Sequence, residues 1–233
     1  MRTVVIDGPG SVRVDTRPDP ALTGPDGVIV AVGAAGICGS DLHFYDGEYP
    51  LAEPVALGHE AVGTVVETGP QVHTVTVGDQ VMVSSVAGCG GCEGCATGDP
   101  AMCRLGPQIF GSGALGGAQA DLLAVPAADF QVLKIPEGIT TEQALLLTDN
   151  LATGWAAARR ADIPFGGTVA VIGLGAVGCA RCAARSSKAL QRCSLRIEST
   201  GGCAGPRNGA RRRSARRRSR PFWPRRVAVA PTL

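Results

Sequence analysis

The chain has 233 residues, 45% of them hydrophobic, enough to build one large or two ordinary cores, which sets aside a wholly disordered or fibrous protein. It contains no run of about 18 or more apolar residues, and its start, "MRTVVIDGPG", has neither the apolar core nor the cleavage site of a signal peptide. A net charge of +2 conceals a division: residues 1–180 carry 7 Lys/Arg against 19 Asp/Glu, whereas residues 181–233 carry 15 Lys/Arg against Glu198 alone. A cytoplasmic protein without membrane spans is therefore expected, its nine cysteines being thiols or metal ligands rather than disulfides.

In chain order, short segments that are apolar or alternating, and bounded by Gly, Pro or Asp, read as strands: 3–6, 11–15, 27–36, 60–69, 79–85 and 120–125. They predict an all-β or barrel-like first domain. The period changes over 140–161, "TTEQALLLTDNLATGWAAARRA", where Thr140 or Thr141 can cap, Glu142 falls in the first turn and apolar residues recur at helical spacing. One or two helices are expected there. "GGTVAVIG" then reads as a buried parallel strand entering a Gly-rich turn that opens a helix around Ala176. Beyond Cys179 the patterning fades, and "RNGARRRSARRRSRPFWPRR", 207–226, has no core-forming period and is expected to be disordered.

Between the strands, "GCGGCEGCATGDPAMC" sets Cys89, Cys92, Cys95 and Cys103 in a C-x2-C-x2-C-x7-C arrangement. Two-residue spacers turn successive thiolates toward one point and the longer spacer returns the fourth, as in a closed tetrahedral structural zinc site. A redox C-x-x-C uses two cysteines at a helix start rather than four; spacing alone also admits an iron–sulfur cluster, although the usual four-cysteine runs have other spacers. A closed site leaves no position for substrate, so this metal would stabilise a lobe over 88–104. Elsewhere Cys38, in "GICGSDLH", and His59 with Glu60, in "GHEAVGTVVETG", follow strand-like segments beside glycines. Taken singly, a Cys is usually a small buried hydrophobe and a His a satisfied polar group.

Taken together and in this order, "GICGSDLH", "GHEAVGTVVETGPQV", the four-cysteine lobe, "LTDNLATGW" and "GLGAVG" resemble the zinc-dependent medium-chain alcohol dehydrogenase family. The resemblance covers residues 1–178. It implies an α/β protein with a β-rich GroES-like catalytic domain over 1–150, then a linking helix and the first βα unit of a Rossmann domain over 151–180, and last an Arg-rich tail over 181–233. It makes Cys38 and His59 ligands of a catalytic zinc, with Glu60 an alternate ligand. Many members carry a cysteine four residues before a Thr-Gly pair; Asp149 stands there, before Thr153-Gly154, as in the formaldehyde-dehydrogenase-like branch. A carboxylate is a competent zinc ligand, so Asp149 completes the set, leaving one position open to an alcohol or carbonyl oxygen. The resemblance also implies that Asp41 orients His59 and that Ser40 and His43 relay the proton. His73 matches no functional position and is expected at the surface.

Gly173, Gly175 and Gly178 form G-x-G-x-x-G between a strand and a helix, the fingerprint that cradles a dinucleotide pyrophosphate, and imply NAD(P) as hydride acceptor. Glu198 lies where an acidic residue would bind the ribose, but Arg196 interrupts what should be a buried strand before it. Residues 179–233 do not supply the remaining strands of a Rossmann domain, and a frameshift after Gly178 accounts economically for the change in composition. The expected function is zinc-dependent oxidation of an alcohol, or reduction of an aldehyde or ketone, on a small-molecule substrate; members of the family are usually homo-oligomers. Two other readings stand beside it: an inactive zinc-binding remnant, and a basic-tailed nucleic-acid-binding protein. The scattered cysteines and the break inside a domain count against the last.

Overall fold

A computed structural model describes residues 1–50, 54–113, 115–162, 171, 173 and 175–180. Most of the strand expected over "GGTVAVIG", and all of the Arg-rich segment with Glu198, lie outside these residues. The chain divides into two compact units, Met1–Ala152 and Thr153–Leu233.

The first unit is built from β1 (Arg2–Gly8), β2 (Ser11–Thr16), β3 (Val28–Ala35), α1 (Gly39–Tyr45), β4 (Val55–Ala56), β5 (Ala61–Thr68), β6 (Gln80–Val83) and β7 (Val86–Ala87). There follow α2 (Glu93–Ala96), a 3-10 turn (Pro100–Met102), β8 (Gln108–Ile109), β9 (Leu122–Val125), α3 (Ala128–Gln131), β10 (Val132–Lys134) and α4 (Thr141–Thr148); α5 spans Asn150–Arg160. Three sheets result, with strand orders β2-β1-β4, β10-β6-β5-β3-β9 and β7-β8, and every pairing is antiparallel. The six expected strands are all present, 27–36 and 60–69 to within one residue at each end. The segment expected to be helical divides at Asp149 into α4 and α5. Thr140 caps α4: its hydroxyl accepts from the Gln143 amide at 3.3 Å while the Gln143 side chain accepts from the Thr140 amide at 3.0 Å.

Alternation along the strands sends Val28, Val30, Val65, Val81, Val83, Leu123 and Val125 into one core with Phe110. Burying each such side chain contributes about 1.5–3 kcal/mol, so this sheet is the rigid frame of the unit. The frame dictates where the chemistry falls. Ala35 pairs with Ala61 at one end of the β3–β5 ladder, so the chain leaving β3 through Gly36–Cys38 lies beside the chain entering β5 through Gly58–Glu60. The Gly36 amide donates to the Glu60 carbonyl at 3.0 Å and locks the two segments together. Residues 118–121 tie this end to the first sheet: the amides of Ala118 and Gln119 donate to Gly58 and Leu57, and the Val4 amide donates to the Gln119 carbonyl. Gly58 needs its missing side chain, since its φ is +97° and a Cβ would stand 2.7 Å from the Gln119 nitrogen.

In the second unit the helix expected around Ala176 is present over 176–180, with the Cys179 amide donating to the Gly175 carbonyl at 2.9 Å. Among the described residues no helix is long and apolar enough to cross a membrane.

Candidate metal centres and catalytic site

Cys38 is the residue before the first turn of α1 and points into the gap at the end of the β3–β5 ladder. Its amide donates to Asp41 Oδ2 at 2.9 Å, which fixes the start of the helix. His59 and Glu60 are carried by the approach to β5, and Asp149 by the break between α4 and α5. Ligand atoms of Cys38, His59, Glu60 and Asp149 all lie within 4.8 Å of one another. Cys38 Sγ is 3.6 Å from Asp149 Oδ2, and His59 Nε2 is 3.3 Å from the same oxygen. Donors at ordinary zinc bond lengths around a tetrahedral ion stand about 3.5 Å apart for a sulfur–oxygen pair and about 3.3 Å for a nitrogen–oxygen pair. These two edges are therefore already those of a zinc site.

The electrostatics point the same way. Burial raises the pKa of the Asp41 and Glu60 carboxyls, and the nearby Asp149 charge adds to the rise in each. Burial works against protonated His59, yet its hydrogen bonds with Asp149 and Cys38 and the charge of Asp41 outweigh that and push it up to about 10. A buried group of carboxyls and a thiol that draws a proton onto its only imidazole is short of positive charge, which a divalent cation would supply.

Around this cluster, His59 Nδ1 is 3.7 Å from Asp41 Oδ1, an electrostatic contact too long for a hydrogen bond. Asp41 spends its hydrogen-bonding capacity elsewhere: Oδ2 accepts from the Cys38 amide and, at 3.3 Å, from Gln119 Nε2. Gln119 Nε2 also donates to the Gly36 carbonyl at 3.1 Å. Ser40 Oγ lies 3.4 Å from His59 Nε2, the nitrogen that faces Asp149. His43 is exposed on α1 with Nδ1 2.6 Å from Glu48 Oε2, and among the described residues no hydrogen bond joins it to Ser40. His73 is at the surface, its amide donating to Asp129. Sequence reasoning missed Gln119, Glu48 and Asn150; the Asn150 amide donates to Glu60 Oε1 at 2.6 Å.

The second cluster is the lobe between β7 and β8. Ligand atoms of Cys89, Cys92, Cys95 and Cys103 lie within 4.8 Å of one another, with Sγ–Sγ distances of 3.5 Å for Cys92–Cys95 and 4.0 Å for Cys89–Cys95. Sulfurs around one tetrahedral zinc stand about 3.8 Å apart. Backbone amides prepare thiolates here: that of Arg104 lowers the Cys92 pKa, and those of Cys89 and Leu105 lower that of Cys103, while burial raises Cys95. The lobe is fastened to the core by Gln131, a buried side chain whose Nε2 donates to the Gly88 carbonyl at 3.0 Å.

Residues 24–137 match the family model of the alcohol dehydrogenase GroES-like domain. A probable zinc-binding alcohol dehydrogenase of Mycobacterium tuberculosis is 82% identical over 187 residues, a match covering 80% of this chain and 48% of that protein. Residues 24–137 therefore form a GroES-like domain of the kind found in alcohol dehydrogenases. A glutathione-independent formaldehyde dehydrogenase of Pseudomonas aeruginosa is 36% identical over 200 residues, covering 78% of this chain and 50% of that one. Among solved structures, the alcohol dehydrogenase TADH from Thermus sp. ATN1 superposes with a TM-score of 0.79 at 33% identity, covering 84% of this chain and 57% of that one. The chain thus spans about half the length of the curated relatives it matches. The matched domain carries every donor of the two clusters except Asp149, and the expected β-rich architecture of an alcohol dehydrogenase's first domain is the one observed.

Proposed function

We propose that this chain carries the catalytic apparatus of a zinc-dependent oxidoreductase that interconverts an alcohol and its aldehyde or ketone with NAD(P) as hydride carrier. The observation that carries the reading is the pair of donor clusters, one closed by four cysteines and one made of Cys38, His59, Glu60 and Asp149 beside a serine hydroxyl. Cys89, Cys92, Cys95 and Cys103 would hold a structural zinc. Cys38, His59 and Asp149 would hold a catalytic one, with Glu60 as an alternate donor. When bound there, zinc supplies Lewis acidity toward the substrate oxygen.

The chain's own residues account for the rest. Asp41, held by the Cys38 amide and Gln119, places negative charge beside His59 Nδ1, while His59 Nε2 faces Asp149. Ser40 Oγ, beside His59 Nε2, is positioned to take the proton of a substrate hydroxyl. The exposed His43, its ring fixed by Glu48, is the onward acceptor, reached from Ser40 through a water or a turn of the ring. A nicotinamide bound by the glycine-rich turn would supply the hydride acceptor. Support for the nicotinamide cofactor comes from Gly173, Gly175 and Gly178: Gly173 has φ +82°, and residues 176–180 are helical behind it.

Titration of the purified, zinc-loaded chain with NADH and NADPH, followed by coupled absorbance at the nicotinamide band with primary and secondary alcohols, tests the proposal. Cofactor binding with turnover abolished in Cys38→Ser supports it. Zinc in both clusters without cofactor binding or turnover overturns it and identifies an inactive zinc-binding protein.

A further inference from the structure

We infer that Asn150 is a positioning residue for Glu60, its side-chain amide holding the Glu60 carboxylate beside the Cys38, His59 and Asp149 donors as the alternate donor for the position that substrate otherwise takes. The inference rests on reading that cluster as a metal centre, and it adds a residue that no motif of the sequence singles out.

Both partners are buried, Glu60 to 4% and Asn150 to 7% exposure, and the 2.6 Å contact from Asn150 Nδ2 to Glu60 Oε1 is short even for a charge-assisted bond. The geometry follows from the chain: Asn150 is the residue after Asp149, so the single break between α4 and α5 delivers one donor and the clamp for another. The opposite side of the carboxylate is shaped by an absence. A Cβ on Gly36 would lie 2.0 Å from Glu60 Oε2 and 2.8 Å from its Cδ, so the glycine makes the space this oxygen occupies. Glu60 is thus held by the amide at one oxygen, has room made for the other by Gly36, and places its ligand atom inside the cluster.

The nature of the clamp matters. Among the described residues no Lys or Arg forms an ion pair with Glu60. A cationic partner would fix the carboxylate but neutralise it, setting it in competition with a metal for the same charge. A neutral amide orients it and leaves its charge for the ion.

The test is the zinc affinity of this cluster, measured on the full chain by competition with a chromophoric chelator. The binding step that disappears in Cys38→Ser identifies the cluster, and the four-cysteine step serves as internal control. Asn150→Ala is expected to weaken the Cys38-dependent step about tenfold, the usual size of such an effect. The four-cysteine step and the circular dichroism spectrum should not change. Glu60→Ala is expected to weaken the step at least as much, and adding Asn150→Ala to Glu60→Ala should weaken it no further. Asn150→Leu, similar in volume and without a donor, replaces Asn150→Ala if the smaller side chain does not fold. Unchanged affinity in the Asn150 variants, or an equal loss with and without Glu60, overturns the positioning role. Absence of any Cys38-dependent step in the parent chain overturns the metal centre itself, and the role of Asn150 with it.

Discussion

Replacing Gly36 with alanine puts a methyl carbon 2.0 Å from Glu60 Oε2, well over an ångström inside ordinary contact, about 3.5 Å. The other close atoms are Glu60 Cδ at 2.8 Å and Cβ at 3.0 Å, so one side chain takes the whole collision. Gly36 is not among the residues with positive φ, and alanine at such a position gains about 0.4–1 kcal/mol from the smaller freedom of the unfolded chain. Relief requires the carboxylate to swing away and give up its bond from Asn150, a buried hydrogen bond to a charged group that contributes about 1.5–3 kcal/mol. The expected balance is a net destabilisation of about 1–2 kcal/mol in the metal-free protein. In a Glu60→Ala background only the Cβ of residue 60, at 3.0 Å, stays close, and the same substitution should be nearly neutral, within about 1 kcal/mol. Urea unfolding with chelator present, on the four proteins of this double-mutant cycle, reads the difference. An equal effect of Gly36→Ala in both backgrounds refutes the reasoning that Gly36 exists to accommodate Glu60.

Gln119→Leu removes the donors to the Gly36 carbonyl and Asp41 Oδ2 and should lower stability by about 1–2 kcal/mol, read as a lower urea midpoint with unchanged slope; no change would show that the amide bridges nothing of consequence. Asp129 accepts from the amides of His73 and Thr74 and from the Thr74 hydroxyl; burial raises its pKa, but these bonds outweigh it and hold the carboxyl below its usual range. A depressed folded-state pKa gives stability that is present above the unfolded value of about 4 and lost as pH falls through the folded value. The gap in unfolding midpoint between the parent and Asp129→Asn should therefore be widest above about pH 5 and close toward lower pH, whereas a gap independent of pH contradicts the assignment. Cys103→Ser opens the four-cysteine cluster, and trypsin should then cut after the exposed Arg104 faster than in the parent while the sheet core stays intact; equal cleavage would mean that the cysteines do not order the lobe.

The long strands were legible because half-buried antiparallel strands alternate, and β3 and β5 carry unbroken valine-rich runs between glycines. Two- and three-residue strands such as β4, β7, β8 and β10 are too short to show any period and exist through their neighbours. The helix α1 escaped for another reason: "GSDLHFY" has little helical propensity, and Asp41 reaching back to the Cys38 amide starts it. The four cysteines were legible in their spacing, whereas Cys38, His59, Glu60 and Asp149 have no common spacing and were picked out only by the resemblance. Gln119 and Asn150 have neither signal: each bonds a partner 83 or 90 residues away, a relation made by folding rather than by spacing. Asp41 shows the limit of carrying a role across a resemblance, since its close hydrogen bonds go to Cys38 and Gln119 and only its charge reaches His59.

Under the proposed function, Cys38, His59 and Asp149 hold one zinc ion and the four cysteines hold another, on two clusters whose donor atoms converge. Counting metal per chain by mass spectrometry of the intact, natively sprayed protein tests it most directly, in the parent, in Cys38→Ser and in Cys103→Ser. The account predicts two zinc ions in the parent and one in each variant, with the loss additive in the double variant. A parent that holds a single zinc, or a Cys38→Ser variant that still holds two, contradicts it.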